Sequence, residues 1–411
     1  MINQSDKRIL RDAAREVAEI ASLPIQAERR ELWKKHNSLQ PVRPMILIFP
    51  EGSFSGGELM PHATMQCEGE IARNIEWELR SRIYVFEHFQ DDMVIEKEWI
   101  VRKAVSTSGW GISAQHIPST EARGAWKFDP VITEPADLKK LKAPQVHYDE
   151  KATQQSLDEA QDLFGDVLDV KLKGVAHVSF HLMNQYTGLR GLAEVMMDMY
   201  ENPGMLHDAM AILEEGHRGI VRQYVDMNLL SLNNDGTYHN SGGNGYTDEL
   251  PAPGFDPERV RPCDIWASAE AQEMAQVSPQ MHAEFVLDYE KRLLEPFGLN
   301  GYGCCEDLTR KLDDVLAIPN IRRISIAPWA DVDACAEKLQ DRCIFSWKPK
   351  PQHLVGEFDT EMLREYIGHT IDAAKGCVLE MILKDTHTCE NHPERFDRWS
   401  QIARELVEEK A

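Results

Sequence analysis

Apolar and polar positions change their period repeatedly along the chain, and each change marks an element. Residues 6 to 36 carry apolar side chains at helical spacing among many Glu, Arg and Lys, which predicts one or two amphipathic helices. "PVRPMILIFP" then breaks the pattern with an apolar run bounded by prolines, a buried strand that stops at Pro50 and enters the glycine-rich "EGSFSGGE". Further runs of strand length follow: "DMVIEKEWIV", "KGVAHVSFH", "NLLSLNN", "CDIWASA", "GLNGYGCC", "IRRISIA", "CIFSWKP" and "GCVLEMILK". Between most of them the period returns to that of a helix. Examples are "GLAEVMMDMYENPGMLHDAMAILEEGHRGIVRQYVDM", "SPQMHAEFVLDYEKRLLEPF", "DVDACAEKLQ" and "DTEMLREYIGHTIDAAK", each opening near Ser, Asp or Asp-Thr. Those residues cap helices because their side-chain oxygens accept the free N–H groups of the first turn.

Strand and helix alternating in this way imply parallel strands joined by crossovers. In the second half the unit is about 25 to 40 residues long, which suits a (β/α)8 TIM barrel. A doubly wound sheet is the runner-up, but "FPEGSFSGGEL" after the first strand is not the G-x-G-x-x-G of a dinucleotide site. No repeat, low-complexity tract or linker divides the chain. The expected organisation is an N-terminal helical extension over 1–40 and a barrel over 41–411.

Charge narrows the partners. Lys+Arg 45 against Asp+Glu 68 leaves a net charge of -23, which repels phosphate backbones and anionic lipid and argues against nucleic acid or a membrane surface. No apolar run reaches the length of a membrane span, and the N-terminal segment lacks the apolar centre of a signal peptide. The expected location is cytoplasmic. The eight cysteines should be reduced there, which turns attention to metal binding or catalysis.

In a barrel the loops after the strands build the active site. Glu51, His181, Asn233, Asn234, Asp235, His239, Glu270, Cys304, Cys305, Glu306, Trp329, Asp331, Lys348, Lys384, Asp385, His387 and Cys389 all fall in such loops. Asp235 and His239 are the candidate catalytic pair, a carboxylate and an imidazole after one strand; loop capping is the plainer reading of "LNNDGTYHN". Glu51, Asn234, Trp266 and Lys348 are the candidate substrate contacts. Trp266 either walls the pocket or fills the barrel, and Lys348 either holds an anion or is solvated. The adjacent Cys304 and Cys305 read as metal ligands, as small buried residues, or as a redox pair. Against the last stand a strained ring and the absence of C-x-x-C spacing.

Here "VSPQMHAEFVLDYEKRLLEPFG", "ISIAPWADVDACAEKL" and "CIFSWKPKP" resemble segments of the uroporphyrinogen decarboxylase superfamily, with the likeness running over about residues 40 to 405. The resemblance implies a (β/α)8 barrel and two branches. One decarboxylates uroporphyrinogen on an arginine-rich loop after the first strand; "FPEGSFSGGELMP" has no Arg or Lys, so that activity is not expected. The other is a zinc-dependent methyltransferase branch that exchanges methyl groups with a corrinoid protein, and this chain looks closer to it. That branch carries His-x-Cys after a middle strand and a later Cys. "GCCEDL" stands in that place, so the resemblance makes Cys305 a zinc ligand, with Gly303 where the histidine would be, and Cys389 the second thiolate. His239 and Glu306 complete the implied metal set, with His387 beside Cys389 as an alternative.

The function implied is zinc-dependent methyl transfer between a small-molecule donor or acceptor and a corrinoid protein that brings the cobalamin, since the chain has no cobalamin-binding D-x-H-x-x-G motif of its own. A homodimer is left open. Two other readings stay beside it: a metal-free decarboxylase or lyase of a small organic acid using Asp235, Lys348 and His239, and a non-catalytic binding subunit.

Overall fold

The computed structural model describes residues 2–120 and 127–410. The N-terminal amphipathic stretch is two helices, α1 (Gln4–Ala21) and α2 (Pro24–Asn37). Asn3 caps α1 by accepting the N–H of Asp6, and proline opens α2, where no backbone donor is needed. The buried stripe Leu10, Ala14 and Val17 of α1 packs on α3 (Glu70–His88) through Leu79 and Ile83.

The centre is a parallel sheet of seven strands: β1 (Met45–Ile48), β2 (Ser179–Phe180), β3 (Trp266–Ala269), β4 (Leu299–Tyr302), β5 (Ile321–Ile326), β6 (Ile344–Trp347) and β7 (Val378–Leu383). Their spatial order is β1-β7-β6-β5-β4-β3-β2. Consecutive strands are neighbours from β2 to β7 and the first strand lies beside the last, the order of a barrel rather than of a doubly wound sheet. Strands β1, β3, β4, β6 and β7 are buried along their whole length, as expected of a barrel-like sheet with helices outside and packed side chains inside. The helices predicted after "SPQ", "DVD" and "DTE" form where expected. Ser278, Asp331 and Asp359 accept first-turn N–H groups at their starts.

The structure differs from the sequence expectation at the ring's closure. Among the described residues no ladder joins β1 to β2, so the sheet is barrel-like without a continuous eight-stranded ring. The run "NLLSLNN", expected as a strand, makes a single bridge, Leu230 to Val175. Asn233 then takes over the pairing, its amide donating to the carbonyls of Ala176 and Trp266 at 2.8 and 3.0 Å. A side-chain amide has replaced a backbone ladder. "DMVIEKEWIV" also leaves the main sheet: Glu98–Arg102 pairs with Asp169–Lys173 in a separate two-stranded sheet.

Beyond Asn233 the hairpin Tyr238–His239 and Gly243–Asn244 folds against the sheet. A Cβ at Gly243 would lie 2.4 Å from Cζ of Arg323, and one at Gly242 would lie 2.5 Å from Ile382. "SGGNGY" is therefore glycine-rich because its backbone presses on side chains of β5 and β7. Under the hairpin sits a fully buried polar network. Arg323 donates to Glu380 (2.9 and 3.3 Å) and to Asn37, His36 bonds the same carboxylate at 3.1 Å, and Ser346 donates to it. Helix α2 is thus bonded directly into the sheet's interior. No helix among the described residues is long and apolar enough to cross a membrane.

Candidate functional site

Parallel register brings the strand ends to one rim. Ile48 pairs Leu383 and Ile326 pairs Trp347, so the residues that follow β1, β5, β6 and β7 emerge side by side. The thiols enter at the end of β4. Gly303 has φ +91°, a conformation that favours glycine, and a Cβ there would stand 2.7 Å from Leu308. This turn requires glycine at position 303, and it ends the strand's alternation. Cys304 and Cys305 consequently bring their sulfurs to 3.5 Å of each other.

The two thiols differ in surroundings. Ser241, in the glycine-rich hairpin, donates to Cys304 Sγ at 3.4 Å. The hydrogen bond from Cys305 is the largest influence on Cys304; with the charge of Lys384 and the bond from Ser241 it outweighs burial and lowers that thiol's pKa. Cys305 moves the opposite way, raised by the Cys304 thiolate, by burial and by Asp385, whose Oδ2 lies 3.8 Å from its sulfur. The surroundings thus favour negative charge on the Cys304 sulfur over Cys305. The resemblance had made Cys305 a zinc ligand.

Around this pair stand strand-end residues that the sequence placed at the rim without a specific role. His181, at the end of β2, bonds Glu270 at the end of β3 through Nδ1 at 2.5 Å. Burial alone would lower this imidazole's pKa, but Glu270's hydrogen bond and charge overcome it and raise the value. Lys384 after β7 keeps its charge: burial opposes it, while Tyr238, Cys304, Asp385 and Glu51 raise its pKa. Trp329, 57% exposed at the rim, donates its indole N–H to the carbonyl of Cys305 at 3.2 Å. His181, Glu270 and Lys384 were legible as strand-end residues; nothing in the linear pattern showed that they face one thiol.

The expected site residues are placed less uniformly. Glu51 sits at the rim and accepts the N–H of Asp385 at 2.7 Å. Asn234 donates to the carbonyls of Leu250 and Thr247 and so ties its own loop. Asp235 is paired with Lys173 at 2.5 Å and accepts from Thr237, which occupies both its oxygens. His239 is buried against Trp266, ring centroids 4.5 Å apart, and burial with the nearby Arg323 holds it well below its ordinary pKa. It is a neutral interior group, and Asp235 and His239 are not within hydrogen-bond contact of each other. Trp266 fills the interior, fully buried, with its N–H on the Gly245 carbonyl. Lys348 is buried on the backbone and hydroxyl of Ser346 at 3.1 and 2.6 Å; burial, with help from Lys384 and Arg323, lowers its pKa to about 7.

The donors implied for zinc do not converge. Glu306 is fully buried and accepts the N–H groups of Cys304 (2.8 Å) and Ala271 (3.1 Å), so its oxygens are committed to the backbone. Cys389 is buried beside Glu58, which accepts its N–H at 2.6 Å, and burial and that carboxylate push its thiol up to about 11. Among the described residues no three His, Cys, Asp or Glu side chains are grouped to hold a metal ion. A zinc ion needs three or four deprotonated donors at about 2.0–2.3 Å. The set His239, Cys305, Glu306 and Cys389 does not meet that need as arranged.

The chain matches no protein-family model and no curated protein. Among solved structures it is similar to a methyltransferase from Methanosarcina mazei, with TM-score 0.50 and 10% identity over 92% of this chain and 97% of the other. At that identity the likeness is one of fold: a mixed α/β chain built on a parallel, barrel-like sheet.

Proposed function

We propose that this chain is a methyltransferase of the uroporphyrinogen decarboxylase-like kind, moving a methyl group between a small molecule and a corrinoid protein, with Cys304 as its reacting nucleophile. The observation that carries the reading is the Cys304 sulfur, held at the strand ends 3.5 Å from Cys305 and 3.4 Å from the donating hydroxyl of Ser241, where the charge of Lys384 favours its ionised form. The fold likeness to the Methanosarcina mazei methyltransferase agrees with it. A methyl group passes between nucleophiles as its carbon accepts a new electron pair, so an unprotonated sulfur is what such a site requires.

In the proposed step the Cys304 sulfur forms a bond to the methyl carbon while the bond from that carbon to the donor's heteroatom breaks. The departing heteroatom keeps the electron pair and takes a proton from His181, whose charged form Glu270 stabilises. Displacement at the same carbon in the opposite sense frees the thiolate, with the corrinoid partner as acceptor. No step is routed through zinc, because the implied donors are dispersed. The net charge of -23 favours a partner with a basic docking rim and an encounter that weakens with salt.

Methylcobalamin serves as the probe. Incubation with the reduced protein should consume the methyl-cobalt absorbance and leave an S-methyl group on the peptide carrying Cys304, and Cys304→Ala should abolish both. Unchanged consumption by Cys304→Ala, with the variant folded, would overturn the reading.

A metal-free lyase would use the amine of Lys348, whose pKa is lowered by burial in favour of the neutral, nucleophilic form, although that amine is buried on Ser346. Asp235 and His239, its other expected residues, are respectively ion-paired and buried. Borohydride trapping with a small keto acid decides it: a reduced adduct on Lys348 would bring this reading forward.

A further inference from the structure

We propose that Cys304 and Cys305 form a reversible oxidation site, in which a hydroperoxide oxidises Cys304 and Cys305 then closes a vicinal disulfide. Consecutive side chains of a strand point to opposite faces. Here they do not: the left-handed turn at Gly303 ends the alternation, and the two sulfurs stand 3.5 Å apart on one side of the chain. Both residues are only partly buried, so a small oxidant can reach them. The contacts also assign different roles. The Ser241 hydroxyl, 3.4 Å from Cys304 Sγ, stabilises negative charge on that sulfur, whereas the carboxylate of Asp385, 3.8 Å from Cys305 Sγ, favours the protonated thiol.

The chemistry balances with hydrogen peroxide as oxidant. The Cys304 sulfur attacks one peroxide oxygen, the O–O bond breaks, and the departing oxygen leaves as water after taking a proton. The resulting sulfenic acid is attacked by the sulfur of Cys305, which loses its proton as the S–S bond forms and a second water departs. Two thiols are oxidised and one peroxide is reduced to two waters.

The product is strained. Consecutive Cα atoms are about 3.8 Å apart across a trans peptide, below the usual disulfide range of about 4.4–6.8 Å. Strain makes a disulfide easier to reduce, and an accessible, strained bridge is labile rather than structural. A dithiol reductant therefore restores the pair. While closed, the bridge removes the thiolate at the strand ends, whatever acceptor or donor that thiolate serves.

The test uses the full chain and reads peptide mass, so it is independent of methyl transfer. Stoichiometric peroxide should give a peptide spanning 304 and 305 that has lost two hydrogens and regains them with dithiothreitol. Cys305→Ser should instead accumulate a sulfenic acid on Cys304 that dimedone traps. Cys304→Ser should lower the oxidation rate at this peptide by about tenfold or more, since the thiolate is the nucleophile. Circular dichroism shows whether each variant is folded, and Cys305→Ala and Cys304→Ala replace a serine variant that is not. The proposal is overturned if the wild-type protein goes to the sulfinic acid without a bridge, or traps dimedone as fully as Cys305→Ser. A bridge from either residue to another cysteine would overturn it too.

Discussion

Replacing Glu380 by glutamine removes one charge from the interior while keeping the side chain's shape. Glu380 accepts from Arg323 at 2.9 and 3.3 Å, from His36 at 3.1 Å and from Ser346, and all four residues are fully buried. The substitution leaves no cavity, but it strands the Arg323 guanidinium opposite a neutral amide. Removing one partner of a buried pair costs about 3–5 kcal/mol. Coulomb's law agrees in scale: charges about 3 Å apart at an effective dielectric constant of about 20 interact by roughly 5 kcal/mol. With a urea slope of about 3 kcal/mol per molar, the unfolding midpoint at neutral pH should fall by about 1–1.7 M. The pH dependence follows from the direction of the shift. Burial opposes the charge of Glu380, yet Arg323 and His36 hold its pKa well below the usual carboxylate value. A depressed folded pKa stabilises above the unfolded value of about 4.3 and loses that stabilisation as pH falls through the folded one. The gap between wild type and Glu380→Gln should therefore be full at neutral pH and narrow in acid below about 4. Urea titrations at both pH values measure it. A neutral-pH loss below about 1 kcal/mol, the size of an ordinary surface change, would refute the argument that Glu380 compensates the buried charge of Arg323.

Glu270→Gln should lower the pKa of His181, because burial then acts without the carboxylate that outweighs it; an NMR titration of His181 that stayed in place would contradict this. Since the wild-type value is raised, the pair's stabilisation is full below the unfolded histidine pKa of about 6.5 and is lost as pH rises through the folded value. Gly303→Ala should destabilise by about 1–3 kcal/mol, through its φ of +91° and the contact with Leu308, and should change the alkylation rate of Cys304; equal stability and equal reactivity would count against the turn's role. Elemental analysis after zinc-replete expression should find well below one equivalent, because the implied donors are dispersed. A full equivalent, lost in Cys305→Ala and Cys389→Ala, would mean that the loops close around an ion.

The alternation of apolar runs and amphipathic segments determined by itself that strands would be buried, parallel and covered by helices. Serine and aspartate before the later helices marked their starts, because capping is a contact within a few residues. The polar strand ends were legible for the same reason: a strand's length fixes where its last residue stops. Local sequence could not decide which of those residues meet. "NLLSLNN" reads as a strand, yet Asn233 satisfies the neighbouring carbonyls with its side chain, and that depends on where β2 and β3 lie. Asp235 and His239 read as a catalytic pair. One is taken by Lys173 and the other is buried under Trp266, contacts made with residues from 27 to 62 positions away (239 to 266, 173 to 235). The preference for Cys304 over Cys305 is likewise a matter of what surrounds them. Ser241, Lys384 and Asp385 come from two other loops, and only the folded sheet sets their charges beside the two sulfurs. Periodicity records which face of an element is buried, whereas ionisation and reactivity depend on charges brought together through space, at distances the linear chain does not encode.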